Sequence, residues 1–174
     1  QRHAPRAASA QTQKIMAFTK LPALLGEALS ARGYAAPTPV QAAVLEPEAE
    51  GRDLVVSAQT GSGKTVAFGL AMAPQLLDQD GRAQPVRSPA ALIIAPTREL
   101  ALQVSRELEW LYGPTGARVA TCVGGMNPSA ERRMLSQGAH IVVGTPGRLR
   151  DHLERGALNL QGLSVAVLDE ADEM

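Results

Sequence analysis

Apolar residues fall along this chain in two patterns. Short unbroken runs occur at Leu54-Val55-Val56, Ala91-Leu92-Ile93-Ile94, Ile141-Val142-Val143 and Val165-Ala166-Val167-Leu168. Continuous runs of this length, without polar alternation, predict strands covered on both faces, as in a parallel sheet. Ala117 to Val123 is a fifth, more mixed strand candidate. The intervening segments carry helical character: Leu21 to Arg32, Val40 to Ala49, Lys64 to Leu77, Glu99 to Tyr112, Ala130 to Gln137 and Gly147 to Arg155. The last four alternate with strands, which predicts a three-layer α/β fold with right-handed crossovers. Asp78 to Pro89 is the clear internal loop, rich in polar residues, Gly and Pro.

Composition narrows the picture. The chain has 174 residues, enough for one domain and hardly two. Residues 1–15 are polar and Ala-rich with no apolar period, and read as a flexible extension or vector-derived leader. A transit peptide fits less well, because no amphipathic face or apolar core is evident. Residues 16–174 read as the folded domain, and the stop at Met174, just after an apolar strand, reads as an incomplete C-terminal end. No apolar run is long enough to span a membrane. Lys plus Arg and Asp plus Glu both number 17, so no global basic field attracts nucleic acid and any such contact must be local. A single cysteine, Cys122, points to a reducing, cytoplasmic setting and reads as a buried small apolar residue. The histidines, His3, His140 and His152, show no ligand spacing. Trp110 and Tyr112 close a helix and are expected to pack on the sheet.

In a parallel α/β sheet, ligands bind beyond the carboxyl ends of the strands, and the chemically capable residues cluster there. Ala58-Gln59-Thr60-Gly61-Ser62-Gly63-Lys64-Thr65 follows the first strand and fits a phosphate-binding loop, with Ala in place of the usual first Gly. Gly61 and Gly63 let backbone N–H groups curl inward on phosphate oxygens, Lys64 supplies a charge for the β and γ phosphates, and Thr65 offers a hydroxyl to Mg²⁺. Asp169, at the end of an apolar strand, is the expected metal-side carboxylate, and Glu170 the group that orients or deprotonates water. Pro96-Thr97-Arg98, Gly124-Gly125 and Thr145-Pro146-Gly147-Arg148 add guanidinium groups, hydroxyls, exposed backbone and new helix starts, which suit sugar-phosphate oxygens. Taken alone, Thr-Pro-Gly is equally a plain helix start.

Taken in order, these motifs resemble the first RecA-like domain of a DEAD-box RNA helicase, across Phe18 to Met174. Gly33-Tyr34-Ala35-Ala36-Pro37-Thr38-Pro39-Val40-Gln41 precedes the phosphate loop, and Pro96-Thr97-Arg98-Glu99-Leu100, Gly124-Gly125, Thr145-Pro146-Gly147-Arg148 and Asp169-Glu170-Ala171-Asp172 follow it. The run is similar to the bacterial cold-shock and ribosome-assembly members. Val40 stands where Ile is common. The resemblance implies a P-loop NTPase domain with a mostly parallel central sheet and helices on both faces. It also implies an ATP- and Mg²⁺-dependent enzyme that unwinds RNA locally and works with a second RecA-like domain. By the same resemblance, Gln41 reads adenine and Phe18 lies against its ring. The motifs of Arg98, Gly125, Thr145 and Arg148 contact RNA backbone, and Asp172 links the nucleotide site to a later Ser-Ala-Thr motif. Two other readings stay open at this point: a P-loop ATPase acting on DNA, and a non-catalytic fragment or scaffold that binds nucleotide or partner proteins.

Overall fold

A computed structural model describes residues 21–46 and 63–174. The strand expected at Leu54–Val56 and the extension expected over residues 1–15 lie outside the described residues. Four parallel strands form one sheet: β1 (Ala91–Ile94), β2 (Val119–Cys122), β3 (Ile141–Gly144) and β4 (Val165–Leu168), in the spatial order β2-β3-β1-β4. The register is level, with Ile94 opposite both Gly144 and Leu168, and Cys122 opposite Gly144. All four carboxyl ends therefore open on the same edge.

The helices are α1 (Ala23–Ala31), α2 (Pro39–Val44), α3 (Lys64–Ala71), α4 (Ala73–Leu76), α5 (Arg98–Tyr112), α6 (Pro128–Ser136) and α7 (Pro146–Glu154). The segment expected as one helix from Lys64 to Leu77 divides at Met72. Pro74 has no N–H for the helix ladder, so the chain restarts with the proline in the first turn of α4. Strand order dictates which face each later helix covers. From β1 the chain moves past β3 to β2, then reverses through β3 and β1 to β4. Right-handed crossovers in opposite directions place their helices on opposite faces. Accordingly α5 packs with α1, α3 and the odd-numbered strand residues Ile93, Ile141 and Val143. The even-numbered residues Leu92, Ala120, Cys122 and Val142 meet Leu135 of α6 and Leu149 of α7.

Strand burial departs from expectation at β4. β1 and β3 are covered on both faces, but Ala166 and Leu168 of β4 are exposed, Leu168 at 61%. Helices α6 and α7 are nine residues each and their apolar contacts fall on β1, β2 and β3, so among the described residues nothing covers that side of β4. Trp110 is partly buried against the core cluster that holds Ile93, Ile141 and Val143. It stacks on Tyr34 with ring centroids 5.7 Å apart and carries the Arg32 guanidinium 5.0 Å from its ring. The tryptophan thus also pins the turn after α1. Tyr112 is buried as expected, and its hydroxyl donates to the Gly69 carbonyl at 2.5 Å. No helix of the described residues is long and apolar enough to cross a membrane.

Candidate nucleotide site and the sheet edge around it

The carboxyl edge of the sheet gathers residues that are far apart in the chain. Lys64 is the first residue of α3, after Gly63, whose φ of 83° lies in the left-handed region that favours glycine. A Cβ at Gly63 would also collide with the Gln41 amide. Thr38 caps α2 reciprocally with Gln41: the Thr38 N–H donates to Gln41 Oε1 at 3.0 Å and the Gln41 N–H to Thr38 Oγ1 at 3.4 Å. The other end of the amide, Gln41 Nε2, donates to the Gly63 carbonyl at 3.3 Å, and Gln41 is fully buried. The residue expected to read adenine therefore ties its own helix start to the end of the phosphate loop. Phe18, Ala58, Gln59, Thr60, Gly61 and Ser62 lie outside the described residues.

Lys64 Nζ sits 2.8 Å from Asp169 Oδ1 and 3.2 Å from Glu170 Oε1. Side chains of consecutive strand residues point to opposite faces, so two adjacent carboxylates do not ordinarily reach one ammonium. Glu170 adopts φ 53° and ψ 47°, a left-handed conformation that costs a non-glycine residue about 1–2 kcal/mol. That turn at the end of β4 brings both carboxylates onto Lys64. Asp169 is anchored through its N–H to the Ile94 carbonyl at 2.9 Å, which extends the β1–β4 ladder by one bond. Burial alone would lower the Lys64 pKa, but its hydrogen bonds to Asp169 and Glu170 outweigh this and raise it above the ordinary value. Asp169 is buried and its second oxygen, Oδ2, has no partner among the described residues.

Glu107 of α5 joins this edge and was not singled out from the sequence. Burial raises its pKa, opposed by the nearby Thr65 hydroxyl and reinforced by the Asp169 charge. Its placement depends on the α5 helix phase: Val104, Leu108 and Leu111 face the core, and Glu107 lies on the flank beside α3. A single acidic residue on an amphipathic helix carries no sequence signal of that kind.

Further along the edge, Thr97 caps α5 by accepting the Leu100 N–H at 3.2 Å, with Pro96 half-buried before it and Arg98 exposed after it. The Arg98 guanidinium lies over Gly125, which has φ 81° and where a Cβ would meet it; Gly124 beside it is open. Thr145 starts α7 and donates its N–H to the Cys122 carbonyl at 3.1 Å, with Pro146 and Gly147 exposed. Gly144 is needed at that corner because a Cβ would strike both the Cys122 carbonyl and the Leu149 side chain. Arg148 Nη2 donates to the Met126 carbonyl at 3.3 Å, so the helix start and the glycine loop are directly joined. Asp172 is exposed in the short 3-10 turn Ala171–Glu173.

One cluster was not legible as a set. Cys122, Glu131 and His152 are all buried, with ligand-type atoms within 4.8 Å of one another. Burial first, and Glu131 second, push the Cys122 thiol up to about 12, against a smaller opposing effect of Arg148. Metal binding needs a thiolate, and the Glu131 oxygens already take protein donors. Within the cluster, His152 bonds to Glu131, and Cys122 packs beside them.

The fold and this edge define a RecA-like α/β domain. The chain belongs to the DEAD/DEAH box helicase family, whose family model matches residues 38–174. It is 45% identical over 166 residues to the ATP-dependent RNA helicase DeaD of Escherichia coli (strain K12), covering 95% of this chain and 25% of that protein. It is 44% identical over 149 residues to DEAD-box ATP-dependent RNA helicase 53 of Oryza sativa subsp. japonica, covering 85% of this chain and 24% of that one. Among solved structures, a DEAD box protein from the hyperthermophile Methanococcus jannaschii matches with TM-score 0.77 and 36% identity, over 89% of this chain and 41% of that one. The RNA-helicase Prp28 from Chaetomium thermophilum bound to ADP matches with TM-score 0.78 and 39% identity, over 88% and 37%. The chain spans about a quarter of the length of these curated relatives.

Proposed function

We propose that this chain is the nucleotide-binding RecA-like domain of an ATP-dependent RNA helicase. It binds ATP and Mg²⁺, contacts RNA along its backbone and, with a second RecA-like domain, couples ATP hydrolysis to local duplex separation. The observation that carries this reading is the convergence of Lys64 with Asp169 and Glu170 at the carboxyl edge of a parallel sheet. Without an anion, the Lys64 ammonium bonds to the two carboxylates. A triphosphate offers the same ammonium a more highly charged partner, and each carboxylate then becomes available for its own task. Asp169, with a buried and unpartnered Oδ2, fits a divalent cation, and Thr65 beside Glu107 supplies a hydroxyl to the same ion. Mg²⁺, when bound, neutralises charge that builds on the transferring phosphoryl group. Glu170, with 39% of its side chain exposed, is placed to accept a proton from water while Asp169 stays dry.

Gln41 supports adenine as the base. Gln41 is fully buried in its clasp, so reading a base requires the Gly63 contact to open; the freed amide then offers one donor and one acceptor, the complement of an adenine ring nitrogen and exocyclic amine. Guanine sets a carbonyl oxygen against the glutamine oxygen. An unsatisfied buried polar group costs about 1–3 kcal/mol, so ADP should bind roughly 5- to 150-fold more tightly than GDP. Calorimetric titration of both nucleotides measures this, and equal affinities would remove Gln41 from base recognition.

Arg98, Gly125, Thr145 and Arg148, with Pro96, Thr97, Gly124, Pro146 and Gly147 around them, form the proposed RNA edge. Asp172 is proposed to couple the nucleotide site to the second domain. The test is turnover in a protein carrying both RecA-like domains: single-stranded RNA should stimulate ATP hydrolysis and DNA of the same sequence should not. Ribose 2′-hydroxyls are the groups that distinguish them. Equal stimulation by DNA would favour a DNA-acting ATPase, and none by either would favour a nucleotide-binding scaffold.

A further inference from the structure

A carboxylate that no motif contains sits at the centre of the proposed RNA edge. Glu131 belongs to α6, and only 2% of it is exposed. Its Oε2 accepts the Val123 N–H at 3.0 Å, directly before Gly124-Gly125. Its Oε1 accepts His152 Nε2 at 2.7 Å and is ion-paired with Arg148 Nη1 at 3.5 Å, both on α7. One side chain thus holds the glycine loop and the Thr145-Pro146-Gly147-Arg148 helix at once. His152 is itself fully buried, and the carboxylate fixes its proton on Nε2. A buried ion pair is a poor way to gain stability, since apolar residues of the same volume do as well or better. Here the pair lies beside the apolar contacts of Leu135, Leu149 and Val142, where such residues would pack readily.

What the pair does supply is orientation. A guanidinium is a planar fork with five N–H donors. Glu131 lies 3.5 Å from Nη1 as its ion-pair partner and the Met126 carbonyl accepts from Nη2, leaving four donors, with 13% of the side chain exposed. The side chain is therefore already ordered before any phosphate arrives, which removes part of the entropy cost of binding. We infer that Glu131 is a positioning residue for RNA, a buried carboxylate, itself fixed by Val123 and His152, that holds the Arg148 guanidinium in one phosphate-binding geometry. This rests on the reading of Arg148 as an RNA contact.

The test uses the full chain, with a ten-nucleotide oligouridine as probe at low salt, followed by NMR because affinity is low. Arg148→Ala is measured first and should bind more weakly. Glu131→Gln, nearly isosteric but uncharged, should lose roughly three- to tenfold in affinity. Glu131→Gln combined with Arg148→Ala should bind no more weakly than Arg148→Ala alone. The Arg148 guanidinium signals should be resolved and slow to rotate in the wild type and averaged in Glu131→Gln. Arg148→Lys, which keeps the charge and leaves Glu131 paired with His152, guards against a folding defect in the glutamate variant and should also bind more weakly. If Arg148→Ala binds like the wild type, Arg148 is no RNA contact and the inference falls with that reading. If Arg148→Ala is weakened but Glu131→Gln is not, or the two losses simply add, the RNA reading stands and the positioning role is overturned.

Discussion

Lys64→Ala should lower adenine-nucleotide affinity roughly 30-fold or more, because truncating one partner of a close, desolvated charge pair costs about 2–5 kcal/mol. The same substitution should also lower the melting temperature of the nucleotide-free domain. From its motif alone, Lys64 has one role, facing phosphate, and its loss would leave the empty fold unchanged. The structure gives it a second role, as counter-ion to Asp169, whose side chain is only 3% exposed. Breaking a fully buried pair costs about 3–5 kcal/mol; Lys64 is 21% exposed and screened by water, so a loss of about 1–2 kcal/mol is expected. For a domain of this size that corresponds to a drop of roughly 2–8 °C. Adding Asp169→Asn should recover much of the melting temperature and none of the affinity. Calorimetric titration and a thermal melt on the wild type and the two variants separate the two effects. Normal affinity in Lys64→Ala would remove the lysine from the phosphate site, and an unchanged melt would deny the ion pair.

That double role shows where sequence reading reaches and where it stops. The strands Ala91–Ile94 and Val165–Leu168 match their apolar runs residue for residue, and α5 differs from its expected span by one residue at its start. Buried parallel strands and capped amphipathic helices write themselves locally, in composition and period. The shared strand direction follows from alternation, and this is why the sequence places the motifs beyond the strand ends on one edge. Register, helix phase and side-chain pairing are not local. Glu131 reads as an ordinary polar position on a helix whose other face is apolar, and only the approach of α7 to α6 makes it the hub of His152, Arg148 and Val123. His152 and Cys122 have no metal-ligand spacing in sequence, yet both lie beside that carboxylate. Glu107 lies near Asp169 for the same reason, and Trp110 finds Tyr34 because α1 packs against α5. The exposed side of β4 contradicts an inference from composition: Ala166 and Leu168 are apolar enough for a covered strand, but no helix of the described residues extends over them.

The full 174-residue chain should bind adenine nucleotide, hydrolyse ATP negligibly and separate no RNA duplex. Phosphoryl transfer is catalysed by positioning and by stabilising charge on the transferring group. In the proposed reading, the residues at this edge would provide a lysine for the phosphates, a carboxylate and a hydroxyl for the metal, and a second carboxylate for water. Arginines are present too, but those of the proposed RNA edge are committed elsewhere: Arg98 lies over Gly125, and Arg148 is tied to Met126 and Glu131. An arginine reaching the γ-phosphate from a facing domain is worth roughly 10³–10⁵ in rate, or about 4–7 kcal/mol of barrier. RNA binding should likewise be weak, since 17 basic residues are balanced by 17 acidic ones and half of a two-domain grip holds fewer phosphates. Joining this chain to a second RecA-like domain should raise RNA-stimulated turnover by about 10³-fold or more over the chain alone. A coupled assay of phosphate release, with and without oligouridine, compares the two forms directly. Robust hydrolysis by the chain alone would mean that its own edge completes the transition-state charge balance, and the two-domain mechanism would have to be abandoned for this protein.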